Sequence, residues 1–176
     1  MRPGRVAWLC ALCIGVLLLA GCYHLRLEAT PLDVRRFEVP RPPDDVYAAV
    51  KSLLARERYE FEQEEGKERL LLTGFRHFAT RAGGLTLPEG GRLYFHRLRV
   101  TVREVAGGSE VAVESVDLEI RSSYAYDEGG KVNYFMKRYP YEHYPGMFDL
   151  DVVNRELNGV QRGLETTLRA GVGNGQ

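Results

Sequence analysis

Four histidines, His24, His77, His96 and His143, are the side chains best suited to metal or proton chemistry. No two stand at the spacing of a helical zinc site, and a metal centre needs further ligands that the sequence does not group with them. His77 and His96 meet only if their strands pair across the glycine-rich stretch between them. The alternative is that they sit singly on a sheet face. No serine occupies a Gly-X-Ser-X-Gly elbow. The glycine pairs of "RAGG" and "PEGG" open no helix and build no phosphate cradle. The carboxylates of "EQEEGKE", Glu62 to Glu68, crowd a turn where charge is solvated, rather than facing each other as acid and base. The sequence therefore predicts no catalytic set, no metal and no cofactor.

Two groups remain that suit recognition. Arg97, Arg99 and Arg103 alternate along one strand as a cationic stripe. They either contact an anionic partner or are offset by Glu114 and Glu119 on the next strand. Six of the ten tyrosines fall between Tyr124 and Tyr144. Tyrosine offers contact area, little entropy to lose and a polar tip. Tyr134, Lys137, Arg138, Tyr139, Tyr141 and Tyr144 are thus the candidate partner surface. The same rings could instead pack over the sheet as a satellite core, or rest at a membrane interface.

The amino terminus sets the context for this surface. Arg2 and Arg5 precede "VAWLCALCIGVLLLAG", an uncharged run from Val6 to Gly21. Its strictly apolar part, about 14 residues, is short of the ~20 that span a bilayer. A cationic start, an apolar core and a small-residue exit read as a secretory signal, the alternative being an uncleaved anchor. The three cysteines are Cys10, Cys13 and Cys22. Cleavage before Cys22 removes two of them and leaves no pair for a disulfide. It also removes Arg2 and Arg5 from a chain with 24 basic and 24 acidic residues. No basic surplus is left to suggest a nucleic-acid partner.

Leu19-Ala20-Gly21-Cys22 resembles the lipobox of bacterial lipoproteins. The resemblance implies cleavage between Gly21 and Cys22, a diacylglycerol on the Cys22 sulfur and an acylated new amino group. Two or more acyl chains anchor stably, where one does so only marginally. Tyr23, not Asp, follows the cysteine. By resemblance to enteric lipoproteins this favours the outer membrane, periplasmic face, over inner-membrane retention or the cell surface.

The elements that must position these residues follow from periodicity. Residues 1–21 are expected as signal peptide, 22–31 as tether, 32–170 as one folded domain and 171–176 as a frayed tail. Phe37 and Val39 alternate with charge in a first strand. Pro42 and Pro43 with Asp44 and Asp45 open a helix. Val46, Val50, Leu53 and Leu54 form its apolar face. "YEFEQEEGKERLLLTGFRHF" predicts a hairpin turning at Glu65-Gly66-Lys67, with Leu70 to Phe78 as one returning strand. Leu98, Val100 and Val102 face inward on a long strand. On its partner, Val111 and Val113 share one parity while Val116, Leu118 and Ile120 share the other. A bulge near Glu114-Ser115 would reconcile them. Asp149 or Asp151 caps a last helix carrying Val153, Leu157, Val160, Leu164 and Leu168.

The fold class predicted is α+β: one antiparallel sheet of four to five strands against two helices, in the order β-α-β-β-β-β-α. The opening "VPRPPDDVYAAVKSLL", the hairpin and the closing helix resemble the helix-grip-like domains of small periplasmic lipoproteins. One such lipoprotein is the C component of the outer-membrane β-barrel assembly machine. The resemblance implies a non-enzymatic module, held to the membrane by its lipid and docking a protein partner in envelope assembly or maintenance. The alternative is a lipid or small-ligand binder that uses the groove between sheet and helix. That alternative requires Val50, Leu54, Val100, Leu157 and Leu164 to leave the groove open.

Overall fold

Two strands of 14 and 15 residues, joined by a two-residue turn, form the spine of the fold. The computed structural model describes residues 29–81, 91–122, 125–126, 132–133 and 137–170. The expected signal, Cys22, most of the expected tether, Tyr134 and the expected tail therefore lie outside the described residues. In chain order the elements are β1 (Arg35–Val39), α1 (Pro43–Arg56), β2 (Phe61–Glu65), β3 (Leu70–Thr73) and β4 (Arg76–Arg81). There follow β5 (Arg92–Val105), β6 (Gly108–Ser122), β7 (Ala125–Tyr126), β8 (Val132–Asn133), β9 (Lys137–Pro140) and α2 (Leu150–Ala170).

The main sheet is antiparallel and has seven strands, more than the four to five expected. Its path is β1-β6-β5-β3-β2, with β4 also on β5 and β9 also on β6. The excess has two sources. The strand expected from Leu70 to Phe78 breaks at Gly74-Phe75 into β3 and β4, both of which pair with β5. The tyrosine-rich segment supplies β9 and the separate β7–β8 pair.

Both helices cover one face of this sheet. Val46, Val50 and Leu54 of α1 and Val153, Leu157, Leu164 and Leu168 of α2 are buried. They meet Phe37, Val39, Leu98, Val100, Val102, Val111, Val113, Leu118 and Ile120 from the strands. Full burial of each such aliphatic side chain favours folding by about 1.5–3 kcal/mol. Val50, Leu54, Val100, Leu157 and Leu164 are each at most 5% exposed, so the sheet–helix interior is filled.

The bulge in β6 is real but lies at Asp117. Arg97 pairs with Val116 and Phe95 with Glu119, so β6 holds one extra residue between them. Asp117 takes a positive φ of 49° there. Val111, Val113 and Ser115 face the helices before it, Leu118 and Ile120 after it. Val116, expected to join the latter pair, is only half-buried.

Local chemistry fixes the helix ends. Pro43 opens α1, where a missing N–H costs nothing. At its other end, Tyr59 N–H donates to the Leu54 carbonyl (3.0 Å) and Arg58 N–H to that of Ala55 (2.9 Å). This is a Schellman arrangement, with Arg58 at φ 63° in the position that glycine usually fills. It turns Tyr59 back beside the helix. Asp149 caps α2, its Oδ1 accepting from Asp151 N–H at 3.0 Å. Among the described residues no helix is long and apolar enough to cross a membrane.

Candidate functional site: a tyrosine clamp and an interhelical pocket

Two of the candidate tyrosines, Tyr139 and Tyr141, belong to the core. Tyr139 and Tyr141 are each 5% exposed, so they do not form the recognition surface expected of them. β9 pairing with β6 turns Tyr139 inward opposite Ile120. Tyr141 N–H donates to the Leu118 carbonyl at 2.9 Å. The rings then form a row. Tyr141 packs on Phe148 (5.1 Å between centroids), Phe148 on Tyr94 (5.9 Å), Tyr94 on Phe78 (6.0 Å) and Phe78 on His96 (4.2 Å). Lys137, Arg138 and Tyr144 do reach the surface, Tyr144 being 44% exposed. Tyr134 lies outside the described residues.

The buried Tyr141 hydroxyl has a specific task. It donates to the Thr30 carbonyl at 2.9 Å and lies 3.0 Å from the Thr30 hydroxyl. With its hydrogen committed to the carbonyl, the phenol oxygen accepts from Thr30 Oγ1. The chain entering the domain is therefore clamped just ahead of β1, with Ala29 and Leu32 packed against the core.

A half-open pocket of about 390 Å³ lies between the end of α1 and the middle of α2. Leu53, Leu54, Val160 and Leu164 make its apolar wall, and Tyr59, Arg76 and Glu156 its polar end. The Arg76 guanidinium sits 4.1 Å from the Tyr59 ring centroid and donates to the Glu57 carbonyl at 3.1 Å. Burial pushes the Tyr59 phenol up to about 12. Burial also raises the Glu156 carboxyl above the usual carboxylate range, with nearby Arg76 acting against it. Sequence reading missed this site because its walls come from α1, α2 and β4, with no local motif.

The arginine stripe faces away from the helices and is largely offset by acids. Arg99 pairs with Glu114 at 3.1 Å, as its strand register predicts. Arg97 pairs with Glu62 (2.9 Å) and Asp117 (3.3 Å) instead of Glu119. Arg103 makes no ion pair among the described residues. Glu119, 4% exposed, is held by Arg121 and Arg138.

His77 and His96 do lie on paired strands, but on opposite faces. His77 is exposed; His96 is fully buried, with Nδ1 3.0 Å from the Ser115 hydroxyl. Among the described residues no cluster could hold a metal ion.

No family model matches the chain, and no curated protein does. Among solved structures, it is similar to that of a DUF4468 family protein from Bacteroides ovatus. The identity is 11%, the match covers 86% of this chain and 94% of that one, and the TM-score is 0.41. At that distance the likeness carries no argument about function.

Proposed function

We propose that this chain is a lipoprotein of the bacterial outer membrane, anchored through acylated Cys22 at the periplasmic face. In this reading its helix-grip-like domain is a non-enzymatic binding or scaffold module in envelope assembly or maintenance, with a protein partner. The observation that carries it is Leu19-Ala20-Gly21-Cys22 at the end of the apolar run, and the entry clamp limits how far the domain stands from that cysteine. Thr30, held by Tyr141, is only eight positions after Cys22. At about 3.5 Å per residue the domain then stands no more than roughly 28 Å from its lipid. A tether that short, clamped at its end, holds one end of the domain toward the bilayer. The exposed Lys137, Arg138 and Tyr144 belong to the same segment as Tyr141.

The filled space between sheet and helices weighs against a lipid or ligand bound in that groove. Intact-mass measurement of the native product tests the anchor. The expected species lacks residues 1–21 and carries acyl mass, and Cys22→Ala abolishes both changes. Crosslinking in cells tests the scaffold role, which requires a reproducible protein partner rather than bulk lipid alone.

A further inference from the structure

The interhelical pocket is a built site that a scaffold role leaves unused. Gly159 and Gly163 are in its lining, and a β-carbon added at either meets no atom within 4 Å, so both positions face open space. Arg76 is fixed there by the Tyr59 ring and the Glu57 carbonyl, which occupy only part of its five-donor fork. Glu156 lines the same pocket and makes no hydrogen bond or ion pair among the described residues. The two charges thus share a cavity without neutralising each other directly. Arg56 and Glu57 add one charge of each sign to its lining.

This pattern selects among ligands. A purely anionic molecule would satisfy Arg76 but bury its charge against Glu156. A purely cationic one would do the reverse. Hydrocarbon alone would leave Glu156 and the remaining Arg76 donors unsatisfied. The complement is a molecule with both charges at one end and an apolar body. The volume is within the range of about 300–1,000 Å³ that small-molecule sites occupy.

We propose that the pocket binds an apolar α-amino acid. Its carboxylate lies on Arg76, its ammonium on Glu156, and its side chain against Leu53, Leu54, Val160 and Leu164. The assignment stands whether or not Cys22 is acylated.

Calorimetric titration of the purified full-length protein tests it, with phenylalanine as probe. The comparison ligands are 3-phenylpropionate, which lacks the ammonium, and phenethylamine, which lacks the carboxylate. Phenylalanine is expected to saturate one site and to bind at least tenfold tighter than either. Glu156→Gln should weaken phenylalanine at least tenfold without weakening 3-phenylpropionate. Gly163→Leu, at an exposed position, should block the pocket while leaving both charges and the circular dichroism intact. Comparable binding of all three ligands overturns the proposal, as does no binding of phenylalanine to the folded protein. Undiminished phenylalanine binding in folded Gly163→Leu overturns it too.

Discussion

Tyr141 and Thr30 are 111 positions apart in sequence and share two hydrogen bonds, hydroxyl to carbonyl at 2.9 Å and hydroxyl to hydroxyl at 3.0 Å. The contact ties the incoming chain to the segment between β9 and α2. Tyr141→Phe keeps the ring on Phe148 and removes only the polar tip. It should cost about 1 kcal/mol in urea denaturation. Hydrogen exchange should rise specifically in the residues ahead of Arg35, while β5 and β6 stay protected. An unchanged exchange pattern would show that Leu32 and Ala29 hold the entry without the clamp.

His96 gives a pH dependence of known sign. Burial, with Arg76 adding to it, lowers its pKa from 6.5 to about 3. Below pH 6.5 the unfolded chain takes up a proton that the folded chain refuses. The stability from keeping His96 neutral is complete above pH 6.5 and is lost as pH falls toward 3. By pH 5 the loss amounts to about 2 kcal/mol. Urea midpoints between pH 7.5 and 5 should show this slope in the parent. His96→Leu should remove that slope, whatever its cost at neutral pH.

How far the sequence could be read follows from where each signal resides. Leu98, Val100 and Val102 alternate strictly, so their burial was legible; that Glu114 could offset the arginine stripe was legible too, but not that its partner is Arg99. The phase slip in β6 was legible as a bulge, but not its position. Hydrophobicity groups Val116 with Leu118 and Ile120, whereas the extra residue is Asp117, a type that tolerates left-handed φ. The break at Gly74-Phe75 was hidden inside an apolar run. Tyr139 and Tyr141 were ambiguous because tyrosine suits both cores and recognition surfaces. Two of the partners that decide the matter, Ile120 for Tyr139 and Thr30 for Tyr141, are distant in sequence. The interhelical pocket was invisible for the same reason.

Gly108 begins β6 where the turn passes close to β1. A β-carbon built there would lie 2.2 Å from the Val39 carbonyl oxygen and 2.9 Å from Pro40 Cα. Both are backbone atoms, so no side-chain rotation relieves the clash. Gly108→Ala should therefore cost about 1–3 kcal/mol or more. Gly107→Ala, at φ 90° but with nothing within 4 Å, should be destabilising through backbone strain alone. Thermal denaturation of the two variants separates contact from conformation, and the larger loss is expected at Gly108.

Arg58 occupies the left-handed position after α1, where a β-carbon is disfavoured by roughly 1–2 kcal/mol. Arg58→Gly removes that strain but adds freedom to the unfolded chain. The balance predicts a gain of up to about 1 kcal/mol, seen as a higher urea midpoint with an unchanged slope. A loss of stability would mean that the exposed Arg58 side chain contributes more than its backbone costs.

Glu119 is nearly buried on the face away from the helices, yet it carries charge among charges. Arg138 donates to its Oε2 through Nε (2.8 Å) and Nη2 (2.7 Å), and Arg121 to its Oε1. The Arg97, Arg121 and Arg138 guanidinium carbons lie 4.5, 5.2 and 5.5 Å from the Phe75 ring centroid. Glu119 therefore holds Arg121 and Arg138 beside Phe75, while Glu62 and Asp117 hold Arg97 there. Glu119→Leu strands the Arg121 charge, whose side chain is only 19% exposed. Such a loss costs about 3 kcal/mol when the remaining charge is well buried, and less here because Arg138 is half open to water. Arg121→Leu on the Glu119→Leu background should recover part of the loss, because the only charge then left without Glu119 is Arg138, which is half open to water. Urea midpoints for the parent, the two single variants and the double variant form a cycle whose coupling should exceed 0.5 kcal/mol, the level typical of contacting residues. Additive effects would mean that water, not Glu119, neutralises Arg121.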